Sequence, residues 1–309
     1  MSAGEEFLPA WINAFALLIA EFTTPIGLCD FSKLTSLRMI LLMILAYKCI
    51  VNSFTPCVAR IRICCIIGNM IEATAGSYHP LTILSEEATT TFREMGFEPI
   101  VGPELETEWY NFDALNVPKD HPARDMQDTF FIKDMPEHVL RTHSTSATAR
   151  ALEQLAKDCS KDGDKKISGA FISIGKVFRN EATDATHEMQ FYQIDGTMVG
   201  ENINISNLKA ILTYFYKKIL GNDVEMEFRP SYFPFVEPGL EVWLKFKNEW
   251  LEVMGAGMLH PNVIKNLCMD PEKVQGFAFG GGLDRIAMVK WNIPDVRYFY
   301  QGDLRVNQW

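Results

Sequence analysis

The chain has 309 residues and seven cysteines, yet no two cysteines stand in a C-x-x-C or other paired spacing. That excludes a zinc ribbon or a disulfide framework as its organising device. Cysteines used as small buried apolar residues fit a reducing cytoplasm. A basic excess is also missing. The net charge is −10, which argues against a free-standing nucleic-acid binder and leaves an RNA partner to a local basic patch or to another subunit. Long apolar runs are absent as well. Phe7–Ala20, Met39–Tyr47, Cys49–Ala59 and Ile63–Ile71 are each too short for the roughly 18 uncharged residues of a membrane span. Leu34–Val51 comes nearest, with Arg38 and Lys48 near its ends, but two interior charges count against insertion and a membrane anchor is not expected. No basic segment precedes the first apolar run and no A-x-A-like site follows it, so a signal peptide is not expected either. Heptads, internal repeats and low-complexity tracts are lacking too.

What is present is an ordinary globular composition, 48% hydrophobic and 22% charged. The pattern changes near Gly76. Residues 1–75 hold five of the seven cysteines (Cys29, Cys49, Cys57, Cys64 and Cys65), balance five acids with five bases, and read as an atypical apolar leader. Residues 76–309 carry the whole negative charge and alternate helical and strand patterns. Leu84, Ala88, Phe92 and Met95 form a helical stripe over Leu81–Met95 with Gly96 as its stop, and Phe97–Val101 reads as a strand. Leu208, Ile211, Leu212, Phe215 and Ile219 predict a second helix over Asn207–Leu220, closed by Gly221. Strands are expected over Glu225–Phe235, Glu241–Phe246 and Trp250–Met254, and a last helix within Gly281–Lys290. Strands not separated one by one by helices predict an α+β fold, a mainly antiparallel sheet flanked by helices.

The segment Phe171–Gly196 carries the most chemistry. Arg179 and Glu181 are two apart on an expected strand and so share a face; Phe191, Gln193 and Asp195 alternate on the return strand and share another. One hairpin thus offers a cation for phosphate, a carboxylate, an aromatic ring for a base and two polar groups for an ammonium. Further on, Gly280-Gly281-Gly282 leads into a helix carrying Arg285. The glycines allow close backbone approach to a nucleotide, and Arg285 offers a fixed cation. The segment is not a Rossmann fingerprint, because Arg285 stands where a third glycine is needed, and no Gly-Lys-Ser/Thr makes it a P-loop.

In this order these segments resemble the class II aminoacyl-tRNA synthetases. Phe178-Arg179-Asn180-Glu181 is similar to their motif 2, Phe277–Arg285 to motif 3, and the helix Leu81–Met95 with its strand and Pro103 to motif 1, which forms the subunit interface. Asp184–His187 (DATH), Phe191–Gly196 (FYQIDG), Leu140–Ser146 (LRTHSTS), Phe228–Gly239 (FRPSYFPFVEPG) and Glu252–Met258 with His260-Pro261-Asn262 narrow the resemblance to the alpha subunits of phenylalanyl-tRNA synthetase, bacterial type. Asp125–Phe130 matches another block of that family, except that Gln127 stands where some relatives carry Trp.

The resemblance implies a class II catalytic domain over residues 76–309 that joins phenylalanine to ATP and then charges tRNA(Phe). By resemblance, Arg179 meets the α-phosphate, Arg285 and His187 face the β- and γ-phosphates, Glu181 reads the adenine amine and Phe191 stacks on its ring. Gln193, Asp195, His143 and Thr145 hold the ammonium and carboxylate of the amino acid. Phe233, Phe235 and Ala278 form the ring pocket, the two phenylalanines projecting to one side of a strand and able to pack edge-to-face on a substrate ring. Glu237, on that same face, helps to hold Mg2+. The family works as an α2β2 heterotetramer with a beta subunit, and its alpha chains normally begin with a coiled-coil arm that reaches the tRNA, which residues 1–75 do not resemble. A catalytically silent synthetase-like regulator is the alternative, disfavoured by the retention of Arg179, Glu181 and Arg285. A phosphoserine-charging relative is disfavoured by the apolar Phe233–Phe235 pocket.

Overall fold

The computed structural model describes residues 76–124, 128–161 and 166–308. The leader, Leu34–Val51 and Gln127 lie outside the described residues. The division into compact units falls between Gly76 and Ser77, and all that follows concerns the second. Among the described residues no helix is long and apolar enough to cross a membrane.

Helix α1 spans Pro80–Glu94. His79 caps it: its Nδ1 accepts from the Leu81 amide at 3.2 Å, while its Nε2–H donates to the Phe299 carbonyl. Pro80 occupies the first turn, where a missing N–H costs nothing. The helix stops at Met95 and Gly96, whose φ of +88° suits glycine. Strand β1 (Glu98–Ile100) follows, then β2 (Leu105–Thr107) and the short helix α2 (Glu108–Asn111). Strands β3 (Phe131–Ile132) and β4 (Met135–Leu140) pair with β2 in a small sheet of order β2-β4-β3. Helix α3 (Thr145–Lys161) comes next. It was not among the expected elements, although Leu152, Ala156 and Cys159 lie buried along one side of it.

The hairpin β5 (Gly169–Phe178) and β6 (Gln190–Gly200) leads into α4 (Ile205–Leu220), which opens on a capping box between Asn204 and Asn207. Then come β7 (Met226–Phe233), β8 (Val236–Phe246), β9 (Glu249–Leu259), the short α5 (Pro261–Asn266), β10 (Gln275–Gly282) and α6 (Leu283–Trp291). The main sheet has seven strands in the order β1-β5-β6-β10-β9-β8-β7. Every pairing is antiparallel except β1 with β5, so the expected α+β architecture is present with one parallel edge.

Period-two alternation divides the residues of the central strands between the two faces. Helices α1, α4 and α6 cover one, where Phe92 meets Phe97, Phe215 and Phe279 at ring distances of 5.2, 4.8 and 5.2 Å. Truncating such a buried phenylalanine costs about 3–5 kcal/mol, so this cluster anchors the layer. On the opposite face Val199, Ala278, Val236 and Leu259 pack with Leu152 of α3 and Val263 of α5. Gln193 and Asp195 share the strand face of Val199, and there the covering layer leaves a cavity.

Candidate active site

The cavity has a volume of about 650 Å³. The sheet supplies Phe191, Gln193 and Asp195 from β6 and Ala278 and Gly280 from β10; the walls include His143, Thr145, Arg179, Glu181, His187, Phe233, Phe235, Glu252 and Arg285. Of the residues expected to act, only Glu237 is missing from this lining.

One end is built around Asp195. Its carboxylate is buried and accepts from Ser144 Oγ at 2.5 Å and Thr145 Oγ1 at 2.6 Å. Burial raises its pKa, and the two hydroxyls work against that rise. Gly280 pairs with Asp195 across the sheet. A Cβ at Gly280 would lie 2.3 Å from Asp195 Oδ1, so glycine is needed here for the carboxylate to fit. Beside it, His143 Nε2–H donates to the Asn111 carbonyl at 2.9 Å, which leaves Nδ1 as an acceptor. Burial first, then the nearby Arg179 cation, lowers the His143 pKa to about 4, so the ring is neutral at physiological pH. His143 Nδ1 and Gln193 Oε1 are both buried without a hydrogen-bond partner. Orphaned polar atoms around a desolvated carboxylate describe a site short of one multiply donating cation.

Next to this polar end lies an apolar one. Phe233 and Phe235 stack with centroids 5.8 Å apart and planes 19° apart. They do not alternate on one strand: β7 ends at Phe233, and the chain turns through Pro234 and Phe235 into β8. That reversal breaks the period-two count, which is why Glu237 does not follow them into the cavity. Its side chain is 74% exposed and lies 3.4 Å from His260 Nε2. Among the described residues no group of three His, Cys, Asp or Glu side chains is placed to hold a metal ion.

The other end is cationic. Arg179 lies just past the end of β5, so the expectation that it sits within the strand is corrected: the Arg179 amide still donates to the Met189 carbonyl, but the Asn180 amide turns to Asp128. Arg179 Nε donates to the Thr142 carbonyl at 3.2 Å, and the guanidinium lies 5.1 Å from the centroid of the Phe191 ring. Glu181 Oε1 is 4.0 Å from Arg179 Nη1. The Arg179 side chain is 40% exposed and lines the cavity. Desolvation there opposes its charge, Glu181 and Asp195 support it, and Arg285 repels it. Arg285 Nη1 donates to the Glu252 carbonyl at 2.9 Å. Burial, and then the charge of Glu241, raise the Glu252 pKa, while Arg285 and Arg179 lower it. Two guanidinium groups on one cavity make a receptor for a polyanion. His187 sits in the loop between β5 and β6, where the Asp184 carboxylate accepts from the Thr186 and His187 amides at 2.7 and 2.8 Å.

Several contributors carried weak signals. Ser144 stands inside the RTHST segment, but its bond to Asp195 spans 51 residues. Asn111, which fixes both His143 and Thr142, had no sequence signal at all.

A mainly antiparallel sheet with an arginine after one hairpin strand and another on a helix behind a glycine-rich strand end defines a class II synthetase core. A family model described as tRNA synthetases class II core domain (F) matches residues 67–309. The chain is similar to the phenylalanine--tRNA ligase alpha subunits of Macrococcus caseolyticus (47% identical over 246 residues, 76% of this chain and 66% of that protein) and Bacillus pumilus (47% over 242 residues, 74% and 67%). That of Lysinibacillus sphaericus is similar to the same degree, 47% over 242 residues, covering 74% of this chain and 67% of that protein. The chain thus spans about two thirds of the length of these curated relatives. It belongs to the phenylalanine--tRNA ligase alpha subunit family of class II aminoacyl-tRNA synthetases.

Proposed function

We propose that the chain activates phenylalanine with ATP and passes the aminoacyl group to tRNA(Phe) in the cytoplasm, as the catalytic alpha subunit beside a beta subunit in an α2β2 assembly. One observation carries the reading. A single cavity puts a buried carboxylate next to a pair of stacked phenylalanines at one end and two arginines at the other. An amino acid with an aromatic side chain and a nucleotide triphosphate meet the two ends.

In this reading the phenylalanine ammonium donates to Asp195, Gln193 Oε1 and His143 Nδ1, which relieves the cost of burying all three. Thr145 acts through Asp195, holding its carboxylate rather than touching substrate. The ring lies against Phe233 and Phe235 above Ala278. At the far end Phe191 carries the adenine, Glu181 accepts from its amine, Arg179 meets the α-phosphate, and Arg285 and His187 meet the outer phosphates. A lone pair of the substrate carboxylate forms the new bond to the α-phosphorus as the bond to the bridging oxygen breaks, and the electrons leave on pyrophosphate. The nucleophile is already an anion, so no general base is needed; positioning and fixed cations do the work.

Mg2+ would be held through one or two carboxylates, waters and the phosphates of the substrate rather than by a dedicated cage. When bound it neutralises the outer phosphates. Glu252 is one cavity carboxylate that would suit this arrangement, whereas Glu237 is exposed and does not line the cavity. Among the described residues the main sheet, the start of α3, α6 and the connecting loops line the site; we take residues 1–75 to be a separate leader.

The test is phenylalanine-dependent exchange between pyrophosphate and ATP by the chain co-expressed with its beta subunit. Exchange above background supports the reading, and none would leave an amino-acid-binding module without catalysis.

A further inference from the structure

Behind the nucleotide end of the cavity, the buried carboxylate of Asp284 joins three segments that are far apart in sequence. Strand β10 ends at Gly282, paired with Gln193, so the next amide of β6 has lost its ladder partner. Asp284 supplies it: the Tyr192 amide donates to Asp284 Oδ2 at 2.8 Å. Tyr192 lies between Phe191 and Gln193, and Asp284 immediately precedes Arg285. The other oxygen, Oδ1, accepts from the Tyr300 hydroxyl in a short hydrogen bond.

Tyr300 follows a 3-10 turn over Val296–Phe299. The Val296 amide donates to the Ala185 carbonyl at 2.9 Å, and Val296 itself lines the cavity. Ala185 lies in the β5–β6 loop, between Asp184 and His187. A second tie from the same turn reaches the other side, where the Phe299 carbonyl accepts from His79 at the head of α1. Burial pushes the Asp284 carboxyl up to about 6, and the Tyr300 and Tyr192 donors hold it down against that rise. A charged group kept in so dry a place is expensive unless its geometry is used.

We propose that Tyr300, Asp284 and Val296 form a C-terminal clamp that positions the nucleotide-binding groups Phe191, His187 and Arg285. This rests on the proposed binding of ATP at the cationic end. None of the three is a catalytic residue; each acts through its neighbour. Tyr300 and Asp284 set the height of β6 and the start of α6, and the Val296 amide holds the loop tip that carries His187. The amino-acid end is tied separately, through Ser144 and Thr145, so loss of the clamp should weaken ATP binding selectively.

The experiment uses the complex with the beta subunit and two variants. Tyr300→Phe removes one hydroxyl and keeps the ring. Val296→Pro removes one amide hydrogen at the first position of a helical turn, where proline is tolerated. The readouts are the KM values for ATP and phenylalanine in the exchange reaction, equilibrium binding of Mg-ATP alone, and the thermal midpoint. The clamp predicts at least a fivefold rise in the ATP KM and in the Mg-ATP Kd for both variants, with the phenylalanine KM within twofold. Equal changes in both KM values, or a lowered midpoint with both KM values unchanged, would show a structural pin only and overturn the proposal. If the wild type shows no exchange, the activation reading fails, and Mg-ATP binding by the variants still decides the clamp.

Discussion

Replacing Asp195 with Asn should separate the cost of the empty site from its use. In the free protein the Asp195 carboxylate is buried; it accepts from the Ser144 and Thr145 hydroxyls and from the Ser144 amide, with the Arg141 cation nearby. Its pKa is raised by that burial. Stability from such a group is fully present below the carboxyl range of the unfolded chain and is lost as pH rises through the raised folded value. Ionising the carboxylate in this dry site therefore costs stability as pH rises, and the hydroxyls and Arg141 offset part of that cost. Asn keeps the shape, can accept from one hydroxyl and donate to the other, and has no charge to bury. The variant should unfold at a temperature no lower than the wild type at pH 7.5, and its relative advantage should shrink toward acid pH. Binding behaves in the opposite way. Removing one partner of a buried, hydrogen-bonded charge pair costs about 2–5 kcal/mol, and about 1.4 kcal/mol is tenfold, so the phenylalanine KM in pyrophosphate exchange should rise by about 30-fold or more. The ATP KM should stay within about twofold. Saturating phenylalanine, at about 100 times the wild-type Kd, should stabilise the wild type by about 2.7 kcal/mol and the variant, at the same concentration, by about 0.9 kcal/mol or less. A phenylalanine KM within threefold of wild type, in a folded variant, would refute the placement of the ammonium at Asp195.

Three further outcomes follow from the same geometry. Arg179→Ala should lower exchange by at least about 100-fold, the scale of losing one preorganised charge stabiliser; a loss below threefold places Arg179 away from the α-phosphate. Ala278→Gly should deepen the floor of the ring pocket by about one heavy atom and shift preference toward para-chloro-phenylalanine by about tenfold or more; an unchanged preference, in a variant that still activates phenylalanine, removes Ala278 from the floor. Deleting residues 1–75 should leave activation by the alpha–beta complex within about threefold, and a soluble but inactive product would show that the leader belongs to the working enzyme.

Much of this was legible because the chemistry repeats along short stretches. Phe191, Gln193 and Asp195 alternate on a strand, and the structure keeps all three on one cavity. The stripe over α1 and the glycines at its end and at the end of α4 gave both helices to within a few residues. Legibility failed where the chain turns. Phe233 and Phe235 were read as neighbours on a strand, but a reversal at Pro234 brings the rings face to face and sends Glu237 outward. Arg179 and Glu181 reach the cavity from a loop whose path is fixed by amide bonds to Met189 and Asp128, partners that local spacing does not reveal. Helix α3 begins at Thr145, within a segment read only as a substrate loop. Asn111, Ser144 and Tyr300 act over separations of 32, 51 and 16 residues. No local pattern contains such pairs.

The most direct measurement is pyrophosphate–ATP exchange by the alpha–beta complex, with each of the twenty amino acids supplied singly at matched concentration. The cavity, with Asp195 at one end, Phe233 and Phe235 beside it and the two arginines beyond, predicts fastest exchange with phenylalanine and at least tenfold slower exchange with every other amino acid. Equal or faster exchange with any other amino acid, by a complex that is folded and saturated with Mg-ATP, would contradict it.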